Sequence, residues 1–302
     1  MNRKEFLLQT SALGIGAMLP IHRLAHFFQT PFTTIRRNVG TFTSRGGTIG
    51  WLASADALVA VDAQYPQSAQ VFIEGVQEKT THVMDMLINT HHHGDHTAGN
   101  LAFKDVAQKI VAHKNVPGLQ KASAARRGQT SLDNQVYANE TYTTSWKETV
   151  GDEVVHLSHL GPAHTGGDTV VYFEKANVAH MGDLMFNRAY PFIDRDGGAN
   201  IHNWITVLRE TISNLESDTI YIFGHGNQEY GITGSKEDVQ LKSDFLEALL
   251  EYTQKGIAEG KSKEELTTLA VLPGFESFNA PGWSLPLSRN IAAAYDELME
   301  ME

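Results

Sequence analysis

Four residues able to bind a metal ion fall within one six-residue stretch. Thr90-His91-His92-His93-Gly94-Asp95-His96 carries His91, His93, Asp95 and His96 at a spacing of H-x-H-x-D-H. Alternate residues of an extended segment point the same way, so His91 and His93 can address one ion while Asp95 and His96 turn toward a second. Imidazole and carboxylate suit zinc, iron or manganese. Three later segments each offer one more donor beside glycine: Pro162-Ala163-His164-Thr165-Gly166-Gly167, Met181-Gly182-Asp183-Leu184 and Phe223-Gly224-His225-Gly226. Each follows or precedes an apolar run, which puts it on a loop at a strand end, where glycine lets backbone approach a bound ion. The chain has no cysteine, so thiolate ligands, disulfides and cysteine nucleophiles are excluded.

The order of these segments resembles the metallo-β-lactamase superfamily, over roughly residues 33–259. The resemblance implies an α/β fold, a four-layer αββα sandwich, with the site at one edge between two sheets. It implies that His91, His93 and His164 hold a first metal, that Asp95, His96 and His225 hold a second, and that Asp183 bridges them. Asp62, after an early strand, would support the H-x-H-x-D-H loop. Two divalent ions, zinc in the first place and iron or manganese as substitutes, activate a water without any protein nucleophile. Asp95 and Asp183 are then the catalytic carboxylates. The expected reaction is hydrolysis of an activated carbonyl: ester, lactone, thioester or lactam. Asp183 in place of a cysteine ligand turns the comparison from β-lactamases toward the glyoxalase II-like and lactonase-like members. Phe186 stands where the lactonases place a tyrosine, which weakens lactonase, and the acidic 235–302 segment disfavours glutathione thioesters. The rival reading from another class is a mononuclear-iron persulfide dioxygenase-like oxidoreductase on the same fold.

The elements that must position these residues are legible in the pattern. Thr48–Leu52 and 57–62 read as strands joined after a Ser44-Arg45-Gly46-Gly47 turn. A helix begins at Pro66, and 84–89 is an apolar strand running into the histidine cluster. Residues 101–127 mix helix and strand signals. Further strands are expected at 153–158, 169–173, 177–181 and 219–223, and helices at 203–215, 236–259, 263–270 and 287–299. Two strand clusters with interspersed helices indicate sheets covered by helices. Residues 260–302 read as a helical C-terminal extension.

With 302 residues, 41% hydrophobic and 20% charged, the composition is that of a packed globular protein. Lys plus Arg is 24 against 35 Asp plus Glu, a net charge of −11. An acidic chain has no electrostatic reason to seek nucleic acid, so the expected partner is a small-molecule substrate; the oligomeric state stays open. Residues 1–26 combine Arg3-Lys4 with a short apolar run, the pattern of an export signal. Arg3-Lys4-Glu5-Phe6-Leu7 is twin-arginine-like with Lys for the second Arg. The run is too short to give stable membrane insertion, and export would place the protein in the periplasm or outside the cell. For substrate contacts, Arg188, Tyr190 and His202 follow the bridging aspartate, with Arg188 a candidate anchor for a carboxylate unless it pairs with Asp194 or Asp196. The hairpin tip at 42–47 and the segment 186–201 are expected to roof the site. His92, His82, His113, His156, His159 and His180 read as structural.

Overall fold

A computed structural model describes residues 31–279 and 285–301. The export-signal reading of 1–26 lies outside the described residues.

Two large sheets stack face to face. The first has seven strands in chain order: β1 (Phe32–Arg36), β2 (Val39–Phe42), β3 (Ile49–Ala53), β4 (Leu58–Val61), β5 (Met86–Asn89), β6 (Ile110–His113) and β7 (Glu140–Tyr142). Its first four strands pair antiparallel and β4 to β7 run parallel. Helices supply the crossovers: α1 (Pro66–Val76), the short α2 (Gly94–Thr97) and α3 (Asn100–Phe103), then α4 (Val116–Arg126) and α5 (Gln129–Asp133). The second sheet begins with β8 (Ser145–Val150), β9 (Glu153–Ser158), β10 (Val170–Phe173) and β11 (Val178–His180). A small pair follows, β12 (Phe186–Asn187) with β14 (His225–Gly226). The helix α6 (Ile201–Asn214) leads to β13 (Ile220–Ile222), and β15 (Thr233–Gly234) closes the sheet in the order β15-β13-β11-β10-β9-β8. The chain ends in α7 (Lys236–Ala258), α8 (Lys263–Leu266) and α9 (Leu287–Met301).

Period-two alternation sorts the side chains into layers. Val59, Val61, Met86 and Ile88 face Val155, Leu157, Val171 and Phe173 between the sheets. Their neighbours Leu58, Ala60 and Leu87 face outward onto Phe72, Ile73 and Phe103 of α1 and α3. Beyond the second sheet, Ala179 and Tyr221 meet Trp204 and Leu208 of α6 and Phe245 and Leu249 of α7. This is the expected αββα sandwich. Among the described residues, no helix is long and apolar enough to cross a membrane.

Two features depart from the sequence pattern. Strands β7 and β8 are not foreseen, because Ser145–Val150 alternates exposed polar residues at a sheet edge. The segment after residue 260 is helical as expected, and it also packs into the core. Leu272, Phe278, Leu287 and Ile291 are buried in the same cluster as Trp204 and Phe245, and Glu297 accepts hydrogen bonds from the backbone N–H groups of Ile201 and His202.

Candidate metal centre

The strand ends bring seven donors together. β5 runs straight into the loop bearing His91 and His93, while Asp95 and His96 lie in α2. His164 lies on the loop before β10, Asp183 on a single helical turn after β11, and His225 opens β14. His91 Nε2 and His164 Nε2 each lie 3.1 Å from His93 Nδ1. They are 3.7 and 3.6 Å from Asp183 Oδ2. A second group gathers on the other side of the same carboxylate. His225 Nε2 is 3.1 Å from Asp95 Oδ2 and 3.4 Å from His96 Nε2. His96 Nε2 is 3.0 Å from Asp183 Oδ1, and His225 Nε2 is 3.4 Å from Oδ2. Asp183 thus faces both groups.

These donors fit divalent metal ions. Zinc–nitrogen bonds of about 2.0–2.1 Å in a tetrahedron put neighbouring ligand atoms about 3.3 Å apart, within the spread of distances seen here. Asp183 Oδ1 is buried without a hydrogen bond, an acceptor that a cation would satisfy.

In His91, His93, His96 and His164 the other ring nitrogen is tied down, which selects the tautomer that leaves the inward nitrogen able to bind. His96 Nδ1–H donates to Asp62 Oδ2 (2.7 Å) and His164 Nδ1–H to the Phe192 carbonyl (2.7 Å). His91 Nδ1 is 3.0 Å from Thr90 Oγ1, whose hydroxyl in turn donates to Asp62 Oδ2 (2.8 Å). Asp62 also accepts from the Thr90 backbone N–H (2.8 Å), so one buried carboxylate holds both the loop and a ligand ring. His93 presents Nδ1 inward because its Nε2–H donates to Asp194 Oδ2 (2.9 Å). Burial pushes His91 well below the ordinary histidine range, and burial with the facing His93 brings His164 to about 3. Both rings are therefore neutral at pH 7, the form that binds metal. Burial also opposes the charge on His96, but Asp183, Asp62 and Asp95 outweigh it and hold that ring well above its usual value. Close backbone approach completes the cradle. A Cβ on Gly47 would overlap the His96 ring, and one on Gly224 would overlap Asp183 Oδ1.

Comparison with known proteins bears on this arrangement. The family model for the metallo-beta-lactamase superfamily matches residues 84–225, the span from β5 through the last histidine of the site. Over this span the chain has the sequence pattern of the metallo-β-lactamase superfamily. Among curated relatives, it is 29% identical over 197 residues to 2,4-dinitroanisole O-demethylase subunit alpha of Nocardioides sp. strain JS1661, covering 59% of this chain and 56% of that one. It is 28% identical over 117 residues to hydroxyacylglutathione hydrolase of Chelativorans sp. strain BNC1, covering 39% and 40%. The stereoselective inverting sec-alkylsulfatase Pisa1 from Pseudomonas sp. shares the fold, with a TM-score of 0.69 at 15% identity over 90% of this chain and 51% of that one. The chain thus spans 56%, 40% and 51% of the length of these three proteins.

Around this site opens a cavity of about 620 Å³. His93, Asp95, Asp183 and His225 form its floor, and Tyr65, Arg127, Ser131, Gln135, Phe186, Phe192 and Leu285 contribute to its walls. Of the segments expected to roof the site, 186–201 contributes Phe186 and Phe192 to the cavity lining, while 42–47 contributes no residue to it. That hairpin instead backs the ligands, with Gly47 N–H donating to the Asp95 carbonyl (3.1 Å). The three substrate candidates do not reach the cavity. Arg188 pairs with Asp238 (2.7 Å) and stacks over Tyr230, so neither Asp194 nor Asp196 is its partner. Tyr190 is buried against Phe245. His202 pairs with Glu297 (2.9 Å). Sequence reasoning missed Asp194, whose partner His93 is 101 positions away, Arg127, which the fold brings to the cavity from just beyond α4, and Lys242, buried among rings that include Phe186 and Trp204.

Other histidines hold structure. His92 turns away from the cluster toward Asp194 (3.3 Å). His113 stacks on His159 at 3.7 Å, and His180 Nε2 lies 3.1 Å from the Thr48 carbonyl.

Proposed function

We propose that the protein is an exported, metal-dependent hydrolase acting on an activated carbonyl in a small molecule, with two zinc ions held by the seven donors. The observation that carries this reading is the position of Asp183 between His91–His93–His164 and Asp95–His96–His225. The second group gives a second ion a place, which favours a dinuclear hydrolase over a mononuclear iron oxygenase. The name of the hydroxyacylglutathione hydrolase relative supports hydrolysis. When bound, paired divalent ions lower the pKa of a water and polarise an acyl oxygen. The chain's own part is to orient and to shield. Asp62, Thr90, the Phe192 carbonyl and Asp194 hold four imidazoles in register. Asp95, partly open to the cavity, can take and return a proton at its carboxylate. Phe186 and Phe192 cover the floor and limit water.

The test is metal analysis of protein purified from its native host, paired with a panel of aryl esters, lactones, thioesters and β-lactams. Two zinc ions per chain and hydrolysis lost in Asp183→Ala are expected. One iron per chain, with oxygen consumption on persulfides, would sink the hydrolase. Export is checked by fractionating a Gram-negative host: a periplasmic protein shortened by about 20–30 residues is expected, and full-length cytoplasmic protein would refute it. Normal export with the twin-arginine translocase blocked would assign the ordinary secretory route.

A further inference from the structure

The cavity that holds the metal donors is built asymmetrically. Arg127 is the one Lys or Arg among its described lining residues. It sits just after α4, and its Nη2 lies 3.9 Å from where a Cβ on Gly94 would be, at the start of α2, which carries Asp95. Its partners are hydroxyls: Nη1 donates to Ser123 Oγ (3.0 Å) and Nε to Ser131 Oγ (3.3 Å). Among the described residues no carboxylate neutralises it, and Nη2 makes no hydrogen bond. This contrasts with Arg36, Arg37, Arg188, Arg195 and Arg209, each of which pairs with Asp or Glu. The serines at i−4 and i+4 steady the guanidinium without cancelling its charge.

The charge balance points the same way. Two divalent ions, when bound against Asp95 and Asp183, would leave the floor net positive, and Arg127 would add to it. In a chain of net charge −11 the metal-loaded cavity would concentrate the opposite sign, which steers anions inward. The same lining includes the apolar side chains of Phe186, Phe192 and Leu285. Phe192 is 39% exposed, a large ring left open at the mouth. A guanidinium fork presents paired donors that match the planar oxygens of a carboxylate or the face of a sulfonate or sulfate.

We infer that Arg127 forms an anion subsite that selects substrates carrying a negatively charged group on an apolar or aromatic body. The inference rests on the hydrolase reading for the word substrate, but the subsite can be measured without turnover. Naphthalene-2-sulfonate, an anion that coordinates metals weakly, and the neutral 2-naphthyl methyl sulfone serve as probes. Their affinities for the zinc-loaded protein are compared by calorimetry in wild type, Arg127→Ala and Arg127→Lys, with thermal melts and zinc content confirming that each variant is folded and loaded. Wild type should prefer the sulfonate at least about tenfold, a difference of about 1.4 kcal/mol. Arg127→Ala should lose that preference while keeping its affinity for the sulfone, and Arg127→Lys should keep part of it. The preference should shrink as salt rises, because the site opens to solvent. Equal affinity for both probes in wild type, no binding of either, or a preference that survives in Arg127→Ala overturns the subsite. A protein that binds the sulfonate through Arg127 yet hydrolyses nothing in the ester and lactam panel would retain the subsite and refute the hydrolase.

Discussion

Asp194 Oδ2 lies 2.9 Å from His93 Nε2 and 3.3 Å from His92 Nε2, so a residue a hundred positions downstream sets the orientation of the central ring of the metal site. It is the counterpart of Asp62 on His96. Without it, His93 is free to rotate and to take the other tautomer. Asp194→Ala is expected to weaken zinc binding at the His91–His93–His164 position by about 10–100-fold, read by competition with a chromophoric chelator. Unchanged affinity would mean that His93 is held by other contacts.

Gly47 packs on the face of His96, where a methyl group would overlap the ring. Gly47→Ala should displace His96 and cost about 1–3 kcal/mol as an overpacked site, with loss of one metal equivalent. Gly118, exposed within α4 with nothing near its missing Cβ, is the control. Gly118→Ala should raise stability by about 0.5–1 kcal/mol and leave metal content unchanged. Loss of stability in both variants to the same extent would remove the argument from His96.

Lys242 is buried, and its Nζ makes no hydrogen bond. It is boxed by the rings of Phe186, Trp204, Phe245 and Phe278 at 5.2–5.6 Å. Cation–π contact returns about 2 kcal/mol at a desolvated site, less than the several kcal/mol that desolvating an ammonium costs. Burial accordingly holds the amine well below the lysine range, although Asp183 pulls it up. The unfolded chain then binds the extra proton between the folded value and about 10.4. Stability rises with pH through that window and is lost as pH falls. Lys242→Met should stabilise the fold by on the order of 1–3 kcal/mol at pH 7, and the gain should shrink as pH approaches 10. Thermal melts across pH 7–10 read this; a variant less stable than wild type at pH 7 would show that the ammonium is favoured in its box.

Arg188 lies under Tyr230 and against Asp238 rather than in the cavity. Arg188→Ala should lower stability by up to about 1 kcal/mol and leave kcat/KM within about twofold on anionic and neutral substrates alike. A selective loss on anionic substrates would return the anchor role to Arg188.

The strands and the ligands are local information. Val59, Val61, Met86 and Ile88 alternate with outward-facing residues within a few positions, and H-x-H-x-D-H places four donors on one loop, so both can be read along the chain. Glycine beside His164, Asp183 and His225 marks where backbone must come close. What only the tertiary structure decided is pairing across distance. His93 meets Asp194, Arg188 meets Asp238 and His202 meets Glu297. Nearness in sequence to Asp183 suggested Arg188, Tyr190 and His202 as substrate contacts, yet a chain leaving a strand end turns its side chains into whichever layer packs next. Here α7 and α9 cover that segment, taking Tyr190 into the core and supplying carboxylates to Arg188 and His202. The wall facing the metals comes instead from Arg127, Ser131 and Gln135, thirty to forty residues after the histidine motif, because the α4–α5 crossover passes over the mouth of the site.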